Sequence, residues 1–354
     1  MPEMHHPHSS GRTLILVLMI SLGITGCAPQ TGVLNVDHPQ DIFWPSPPDK
    51  KRILFLQAIS GPADLNINPG LLTRVFRYIG GKNELSIVSP YGVTLDADGR
   101  LYVVDAFLHG VHVFDAGANK YSVFPADSTT LPSPVDIAVD DAGGIVFVTD
   151  SKKGVVKIFK DQGKHLQKTF GGEIFKRPTG IAINRKTGEL LVVDTLQSRV
   201  FRFDLSSLAQ KGSFGGRGES DGRFHYPTLI SVTSAGDIIV SDALNFRVQV
   251  FSPEGRFLYK IGGMGNSPGT FSRPKGVASD SDGNIYVIDA IFDNIQVFDS
   301  QGRLLTAFGT HGSGPGEFGL PAGIHIDQND LIYISDSSNR RVQVFQYLKE
   351  EATQ

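Results

Sequence analysis

The sequence has little cysteine, no excess of either charge and no apolar run long enough to cross a membrane comfortably as a helix. A single cysteine among 354 residues excludes an intramolecular disulfide and a cysteine-based metal site. The 33 Lys and Arg residues nearly balance the 36 Asp and Glu residues, which leaves a formal net charge of −3. Nucleic-acid binding normally needs a basic field. The composition therefore argues against a nucleic-acid partner.

The amino terminus has the features of an export signal. Residues 14–24 are an apolar run that fits the core of a signal peptide, and Arg12 precedes it. The lone Cys27 follows directly after Ile24-Thr25-Gly26, and this segment resembles a bacterial lipobox. The resemblance implies a lipoprotein signal peptide over residues 1–26, cleavage before Cys27 and lipid attachment to that thiol. The alternative is an ordinary secretory signal with an incidental cysteine.

The next segment is predicted to be a tether that connects the lipid to the folded body. Residues 27–48 are rich in proline, which keeps a chain extended and non-helical. Trp44 lies in this segment, and we expect it to pin the tether to the body. Ala28 follows the cysteine, and resemblance to enteric lipoproteins implies anchoring in the outer membrane. The body is predicted over residues 49–348, with a short tail over residues 349–354.

The body repeats one pattern six times. Each copy has a proline, two apolar runs separated by a turn, an aspartate fifteen or sixteen residues after the proline, and a phenylalanine nine residues after the aspartate. The six aspartates are Asp105, Asp150, Asp194, Asp242, Asp289 and Asp336. A repeat with a period in the forties that consists of short strands indicates a closed or stacked array of identical units.

Each repeat is predicted to form four antiparallel strands. In the fifth copy the turn Asp282-Gly283-Asn284 separates the first two strands, and glycine there allows a positive φ. Glycine-rich joints then connect one repeat to the next. The second strands are nearly continuous apolar runs, which is typical of sheets buried on both faces.

The spacing, the turns and the glycine-rich joints resemble the NHL-repeat family. The resemblance implies an all-β fold, a six-bladed β-propeller with four-stranded antiparallel blades. The last repeat has too few residues after Phe345 for its own fourth strand. We therefore predict that residues 51–59 supply this strand, complete the last blade and close the ring.

No recognisable catalytic constellation is predicted. The repeated aspartates are expected to bind loop amides or the arginines Arg199, Arg247 and Arg341, because a group that occurs once per blade serves the blade. The histidines lack metal-ligand spacing. In the amidating lyases, which resemble this fold, histidine follows the first-strand proline. The matching positions here are Tyr91, Val135, Thr179, Thr228, Lys275 and Ala322, and none of them is a histidine or a carboxylate.

The loops after the repeated aspartates carry the candidate binding residues. Common NHL repeats have Gly or Asn types there, whereas this chain has large apolar side chains. The predicted binding rim consists of Tyr91, Phe107, Leu108, Leu196, Leu244, Phe246, Lys275, Ile291 and Phe292. We expect Tyr91 and Lys275 to lie nearer the axis. An exposed apolar cluster usually marks a partner site, but each side chain could instead fold down onto its neighbouring blade.

Two functions are compatible with these observations. The first is a cell-envelope lipoprotein whose propeller is a non-catalytic scaffold for a protein or ligand, attached to the membrane through Cys27. The alternative is a lyase or hydrolase at the channel mouth that uses Tyr91, Lys275, His225 and His311, with or without a divalent cation. The sequence predicts no cofactor and does not identify the partner.

Overall fold

The computed structural model of the chain describes residues 42–67 and 86–349. These residues form six antiparallel sheets, each of which is one blade of a propeller, and a short parallel pair between Thr310–His311 and Glu317–Phe318. In the described ranges the helical segments are three short 3-10 turns: Pro62–Leu65, Asp161–Gly163 and Ala243–Asn245. None of these has the length or the apolarity that a membrane-crossing helix needs. The signal peptide, Cys27 and most of the tether lie outside the described residues.

Twenty-seven strands make up the described body. In chain order they are β1 (Phe43–Trp44), β2 (Ile53–Ile59), β3 (Pro90–Leu95), β4 (Leu101–Asp105), β5 (Gly110–Asp115), β6 (Lys120–Phe124), β7 (Pro134–Asp140), β8 (Ile145–Asp150), β9 (Val155–Lys160), β10 (His165–Phe170), β11 (Pro178–Asn184), β12 (Glu189–Asp194), β13 (Arg199–Asp204), β14 (Gln210–Gly215), β15 (Pro227–Val232), β16 (Ile238–Asp242), β17 (Arg247–Phe251), β18 (Phe257–Gly262), β19 (Pro274–Ser279), β20 (Ile285–Asp289), β21 (Asn294–Phe298), β22 (Leu304–Phe308), β23 (Thr310–His311), β24 (Glu317–Phe318), β25 (Pro321–Ile326), β26 (Leu331–Asp336) and β27 (Arg341–Tyr347).

The blades follow one another along the chain and close into a ring. Blades 1 to 5 are β3–β6, β7–β10, β11–β14, β15–β18 and β19–β22, and blade 6 has the order β1-β2-β27-β26-β25. The innermost strand of every blade contacts the innermost strands of both neighbours, including β25 of blade 6 against β3 of blade 1. The six-bladed propeller is therefore confirmed, and its inner strands surround a central channel.

The amino-terminal strand completes blade 6, as predicted. Strand β2 pairs antiparallel with β27, with Ile53 opposite Tyr347 and Ile59 opposite Val342. Strand β1 pairs with β2 and adds a fifth strand, which the sequence did not predict. Trp44 in β1 packs its ring against Phe308 and Phe345, with ring centroids 5.8 and 6.0 Å apart. The end of the predicted tether is thus part of blade 6, and Trp44 pins it there as expected.

The core consists of apolar layers between neighbouring blades. The second strands are buried throughout, as in β4, where all five residues are buried. The repeated phenylalanines that end the third strands are all almost completely buried; they are Phe114, Phe159, Phe203, Phe251, Phe298 and Phe345. Burying one such side chain stabilises the fold by about 1.5–3 kcal/mol. The repeated phenylalanine therefore holds each blade against its neighbour.

Each inner strand begins with a proline inside an irregularity of the ladder. In blade 1 the pairing passes from Pro90 opposite Asp105 directly to Val93 opposite Val103, and the other five blades show the same shift. A proline lacks the N–H that a regular ladder would use, so a bulge accommodates it. Two residues later the backbones of adjacent inner strands nearly touch. A Cβ at Gly180 would lie 2.8 Å from Leu229 Cα.

Candidate binding face

The loops after the second strands lie at one end of the propeller. The joint that leads into the first strand of a blade lies at the same end, because the first and second strands of a blade are antiparallel. Direct hydrogen bonds connect the two sets, such as Leu244 N–H to the carbonyl oxygen of His225 at 3.0 Å. We call this end the loop face.

The repeated aspartates hold the loop face together. Asp289 is fully buried, and its Oδ1 accepts hydrogen bonds from the amides of Ile291 at 3.0 Å and Phe292 at 3.3 Å in its loop. The same carboxylate accepts the amides of Ser272 at 2.6 Å and Arg273 at 3.2 Å in the joint. Hydrogen bonds to a charged acceptor are stronger than neutral ones. The prediction that these aspartates serve the blade is confirmed.

The predicted arginine partners are right in two blades and wrong in one. Arg247 Nε donates to Asp242 at 2.9 Å, and Arg341 Nε donates to Asp336 at 2.8 Å. Arg199 is exposed and donates instead to Ser213 Oγ, across to the neighbouring strand β14. In blade 3 the side chain of Gln197 occupies the arginine's role and donates to Asp194 at 3.1 Å.

The apolar side chains of the loops are exposed to different degrees. Phe107 is 68% exposed, Leu196 50%, Ile291 49%, Leu244 38% and Phe292 37%. These five residues form what we call the apolar rim. Their exposure is compatible with the predicted rim, most clearly at Phe107, Leu196 and Ile291.

Two of the predicted rim residues are half-buried: Leu108 and Phe246. Phe246 has a φ of 55°, the left-handed region that disfavours bulky residues, whereas blade 2 has Gly154 at the equivalent position. The joints add two exposed apolar residues that sequence reasoning missed, Met264 at 78% and Leu320 at 51%. Both replace small or polar residues that glycine-rich joints usually carry, which is the signal that could have found them.

Four rim residues occupy one repeated position, the second residue after the aspartate. The chain has Phe107, Leu196, Leu244 and Ile291 there in blades 1, 3, 4 and 5, but Lys152 in blade 2 and Ser338 in blade 6. Consecutive blades 3, 4 and 5 therefore present apolar groups side by side, and blade 2 borders them with the exposed cations Lys152 and Lys153. The loop face is apolar over one sector and basic beside it.

Tyr91 and Lys275 meet at the mouth of the channel, nearer the axis than the loops, as predicted. The ammonium of Lys275 lies 4.8 Å from the ring centroid of Tyr91, within the range of a cation–π contact. The two residues belong to blades 5 and 1, and the equivalent residue of the intervening blade 6 is the small Ala322. Burial, and next the charge of Arg273, lowers the pKa of Lys275 to about 8. Burial, and next the charge of Asp136, raises the pKa of Tyr91 to about 12.

The channel beyond this pair is a cavity of about 230 Å³ between the inner strands. Its wall is mostly aliphatic, and its polar residues are Thr94, Asp136, Arg185, Ser231, Ser279 and His325. Thr94 Oγ1 lies 3.4 Å from His325 Nδ1. Burial lowers the pKa of His325 to about 4 and raises the pKa of Asp136 to about 7. At neutral pH His325 is therefore uncharged, and Asp136 is partly protonated.

The histidines proposed for a channel-mouth enzyme have other contacts. His311 Nδ1 lies 2.7 Å from Asp293 Oδ2, and the His225 ring packs beside that of Tyr226 with centroids 5.4 Å apart. Over residues 42–67 and 86–349, no group of three or more His, Cys, Asp or Glu side chains has the geometry of a metal site.

Comparisons with known proteins agree with the architecture. A family model described as a 6-bladed beta-propeller matches residues 219–291 and 276–351. The protein brain tumor of Drosophila melanogaster is 31% identical over 129 residues, which are 35% of this chain and 12% of that protein. The chain thus spans about an eighth of that curated relative.

Two solved structures illustrate the likeness. An auxiliary nutrient binding protein from Bacteroides thetaiotaomicron superposes with a TM-score of 0.60 at 16% identity, over 75% of this chain and 70% of that one. Virginiamycin B lyase from Staphylococcus aureus superposes with a TM-score of 0.55 at 15% identity, over 74% of this chain and 96% of that one. At such identities the likeness concerns the fold. The chain is a six-bladed β-propeller.

Proposed function

We propose that this chain is a cell-envelope lipoprotein whose NHL-like propeller binds a protein partner through the apolar rim and performs no chemistry of its own. The observation that carries the proposal is the exposure of five large apolar side chains on equivalent loops of one face. Large exposed apolar groups cost solubility, and on monomeric proteins a contiguous patch of them usually marks an interaction site. One solved propeller of similar fold is an auxiliary nutrient binding protein, which is compatible with a binding role for this chain.

The hydrogen-bonded loops give further support to this proposal. The buried Asp289 holds the amides of Ile291 and Phe292 in their loop. Such contacts fix the rim side chains before binding, which reduces the entropy lost on association.

The first test compares two sets of exposed apolar residues. The triple variant Phe107→Asp, Leu244→Asp, Ile291→Asp removes the rim, and we expect it to lose capture of envelope proteins because charge is costly in a desolvated interface. The matched control is Leu166→Asp, Leu258→Asp, Leu305→Asp, which changes residues on the outer strands that are 46%, 46% and 36% exposed.

Affinity capture from solubilised envelopes, followed by mass spectrometry, is the measurement. The proposal expects a protein that the wild type and the outer-strand control both retain and that the rim variant loses. Retention of the same proteins by the rim variant, with an intact thermal unfolding transition, would remove the rim from consideration.

The lipid anchor is tested at Cys27. Because only a thiol at this position can accept the diacylglycerol, cells grown with labelled palmitate should incorporate label into the wild type and not into Cys27→Ser. Fractionation should place the wild type in the outer membrane and release the variant from it. Label in the variant, or none in the wild type, would contradict the lipoprotein assignment.

The enzymatic alternative has one observation in its favour, the contact between Lys275 and Tyr91 at the channel mouth. A lysine with a lowered pKa is a common catalytic group. Metal analysis of the purified mature protein discriminates between the two functions. Stoichiometric calcium or zinc would favour the alternative, whereas a stable metal-free protein would favour the scaffold.

A further inference from the structure

Three cationic side chains surround the channel mouth on the loop face. Arg177 and Arg273 directly precede the prolines that begin β11 and β19, and Lys275 is the second residue of β19. Both guanidinium groups act electrostatically on the Tyr91 hydroxyl, as does the carboxylate of Asp136. The charges of Arg177 and Arg273 therefore act on the residue whose ring lies 4.8 Å from the Lys275 ammonium.

These cations are not neutralised by the protein. In the parts of the chain that the structure describes, no carboxylate pairs with the side chain of Arg177, Arg273 or Lys275, although most other arginines are paired, such as Arg247 with Asp242 and Arg341 with Asp336. The carboxylate of Asp136 also acts electrostatically on Tyr91, and its Oδ2 already accepts the Ile181 amide at 3.0 Å. Its pKa of about 7 leaves it partly neutral at physiological pH.

The surroundings differ between the two kinds of cation. Arg177 and Arg273 are exposed, whereas Lys275 and Tyr91 are half-buried. The Lys275 ammonium is partly removed from water and donates no hydrogen bond to the described residues, so it is left with unused hydrogen-bonding capacity. The Tyr91 hydroxyl is a further donor without a protein acceptor in the described ranges. Together they offer a pocket of donors that an anion would satisfy.

We propose that the channel mouth is a binding site for a small anion with two or more negative charges, held by Arg177, Arg273 and Lys275 above the ring of Tyr91. Carboxylate and phosphate oxygens fit the guanidinium forks, which donate two parallel hydrogen bonds to such groups. The ammonium of Lys275 supplies a point charge at the base of the site. Because Ala322 has almost no side chain, the path between blades 5 and 1 stays open.

This site goes beyond the proposed function because it needs no protein partner. The apolar rim lies on the loops after the second strands, whereas the cations belong to the starts of the inner strands. A neutral rim variant, Phe107→Ser, Leu244→Ser, Ile291→Ser, removes the apolar groups without adding charge to the loop face, so it should bind the anion normally. Loss of one activity without the other shows which of the two proposals has failed.

The experiment is calorimetric titration of the full chain at constant ionic strength. Citrate and inorganic phosphate are the two probes, which distinguish a carboxylate site from a phosphate site, and tetramethylammonium is the control for general salt effects. We expect saturable one-to-one binding of at least one anion with a dissociation constant of about a millimolar or below. Absence of saturable binding by both anions would overturn the proposal.

Variants assign the binding to the mouth. Arg177→Gln, Arg273→Gln and Lys275→Gln should each weaken binding by about tenfold, because each removes one charge-assisted contact. The control Lys153→Gln removes an exposed cation of the same face that lies on a loop, and it should leave the affinity unchanged. Equal weakening in the control and in the mouth variants would mean a diffuse charge effect and would contradict the site.

Discussion

At the scale of single residues, the buried aspartates differ in whether the folded protein stabilises their negative charge. Burial alone would raise the pKa of Asp105, but hydrogen bonds from His112 and from the amides of its loop and joint lower it below its usual value. Asp136 stands where four of the other five inner strands have glycine, and its carboxylate lines the channel. Burial raises the pKa of Asp136 to about 7, although the amides of Ile181 and Ile137 oppose this. The negative charge of Asp105 is therefore stabilised in the folded protein, whereas that of Asp136 is disfavoured.

The raised pKa of Asp136 predicts a pH-dependent loss of stability. A carboxyl whose pKa is higher in the folded than in the unfolded state favours folding fully below the unfolded value of about 4, and this contribution is lost as the pH rises towards about 7. Asp136→Asn keeps an acceptor for the Ile181 amide and removes the titration. An amide oxygen is a weaker acceptor for the Ile181 amide than a carboxylate, which reduces the gain, and we expect the variant to be about 1–2 kcal/mol more stable than the wild type at pH 8.

Thermal unfolding between pH 4.5 and 8 is the measurement for Asp136. The exposed Glu173, changed to Gln, is the control and should follow the wild type at every pH. A stability difference between Asp136→Asn and the wild type that stays constant over this range would contradict the prediction.

At the scale of elements, strand β1 shows how the chain secures the closing blade. Trp44 covers Gly316, where a Cβ would come within 2.2 Å of the indole ring, and it contacts Phe308 and Phe345. This places a large aromatic side chain over the junction of blades 5 and 6. The strand is only two residues long, so side-chain packing and not its ladder holds it.

Truncation of Trp44 should therefore destabilise the propeller. We expect Trp44→Ala to cost about 2–3 kcal/mol, less than a fully buried tryptophan because the ring is half-exposed. Phe43→Ala in the same strand is the matched control, since its ring contacts the exposed ammonium of Lys51 at 3.8 Å, and it should cost under about 1 kcal/mol. Urea unfolding midpoints measure both. Equal losses in the two variants would mean that the tryptophan does not pin the blade.

At the scale of the whole molecule, most of the architecture could be predicted because it repeats. Four residue types recur at fixed spacing: the proline, the turn glycine, the aspartate and the phenylalanine. Each strand is therefore predicted from six copies of the pattern, and an ambiguous copy can be assigned from the others. Closure by β2 followed from counting strands in the last repeat. Strand β1 could not be found in this way because Phe43 and Trp44 occur once.

The site was less predictable than the fold for the same reason. The sequence gives the loop positions of Phe107 and Leu196, but exposure depends on how each loop packs, and only coordinates show that Leu108 and Phe246 are half-buried. The contact between Tyr91 and Lys275 joins blades that are not neighbours, across the small Ala322. In blade 3 Gln197 donates to Asp194, and Arg199 donates to Ser213 instead. The contacts of a residue that differs from its equivalents in the other repeats cannot be predicted from the repeated pattern.

The loop face and the outer strands of the propeller carry different sets of exposed residues. The loop face carries the apolar rim and the cationic mouth, whereas the outer strands carry other exposed apolar residues, such as Leu258 and Leu305. The closing strand β2 continues the proposed tether, so the anchor would enter the body at blade 6. A partner in the envelope would approach the loop face.

The most direct test of this account is photo-crosslinking in intact cells from chosen positions of the full chain. A photoreactive amino acid is placed at position 107, 196 or 291 on the rim, and at position 166 or 258 on the outer strands as the control. The account predicts a discrete adduct of higher mass from the rim positions and none from the outer strands. Adducts from positions 166 or 258, with none from the rim, would contradict the claim that the loop face binds the partner.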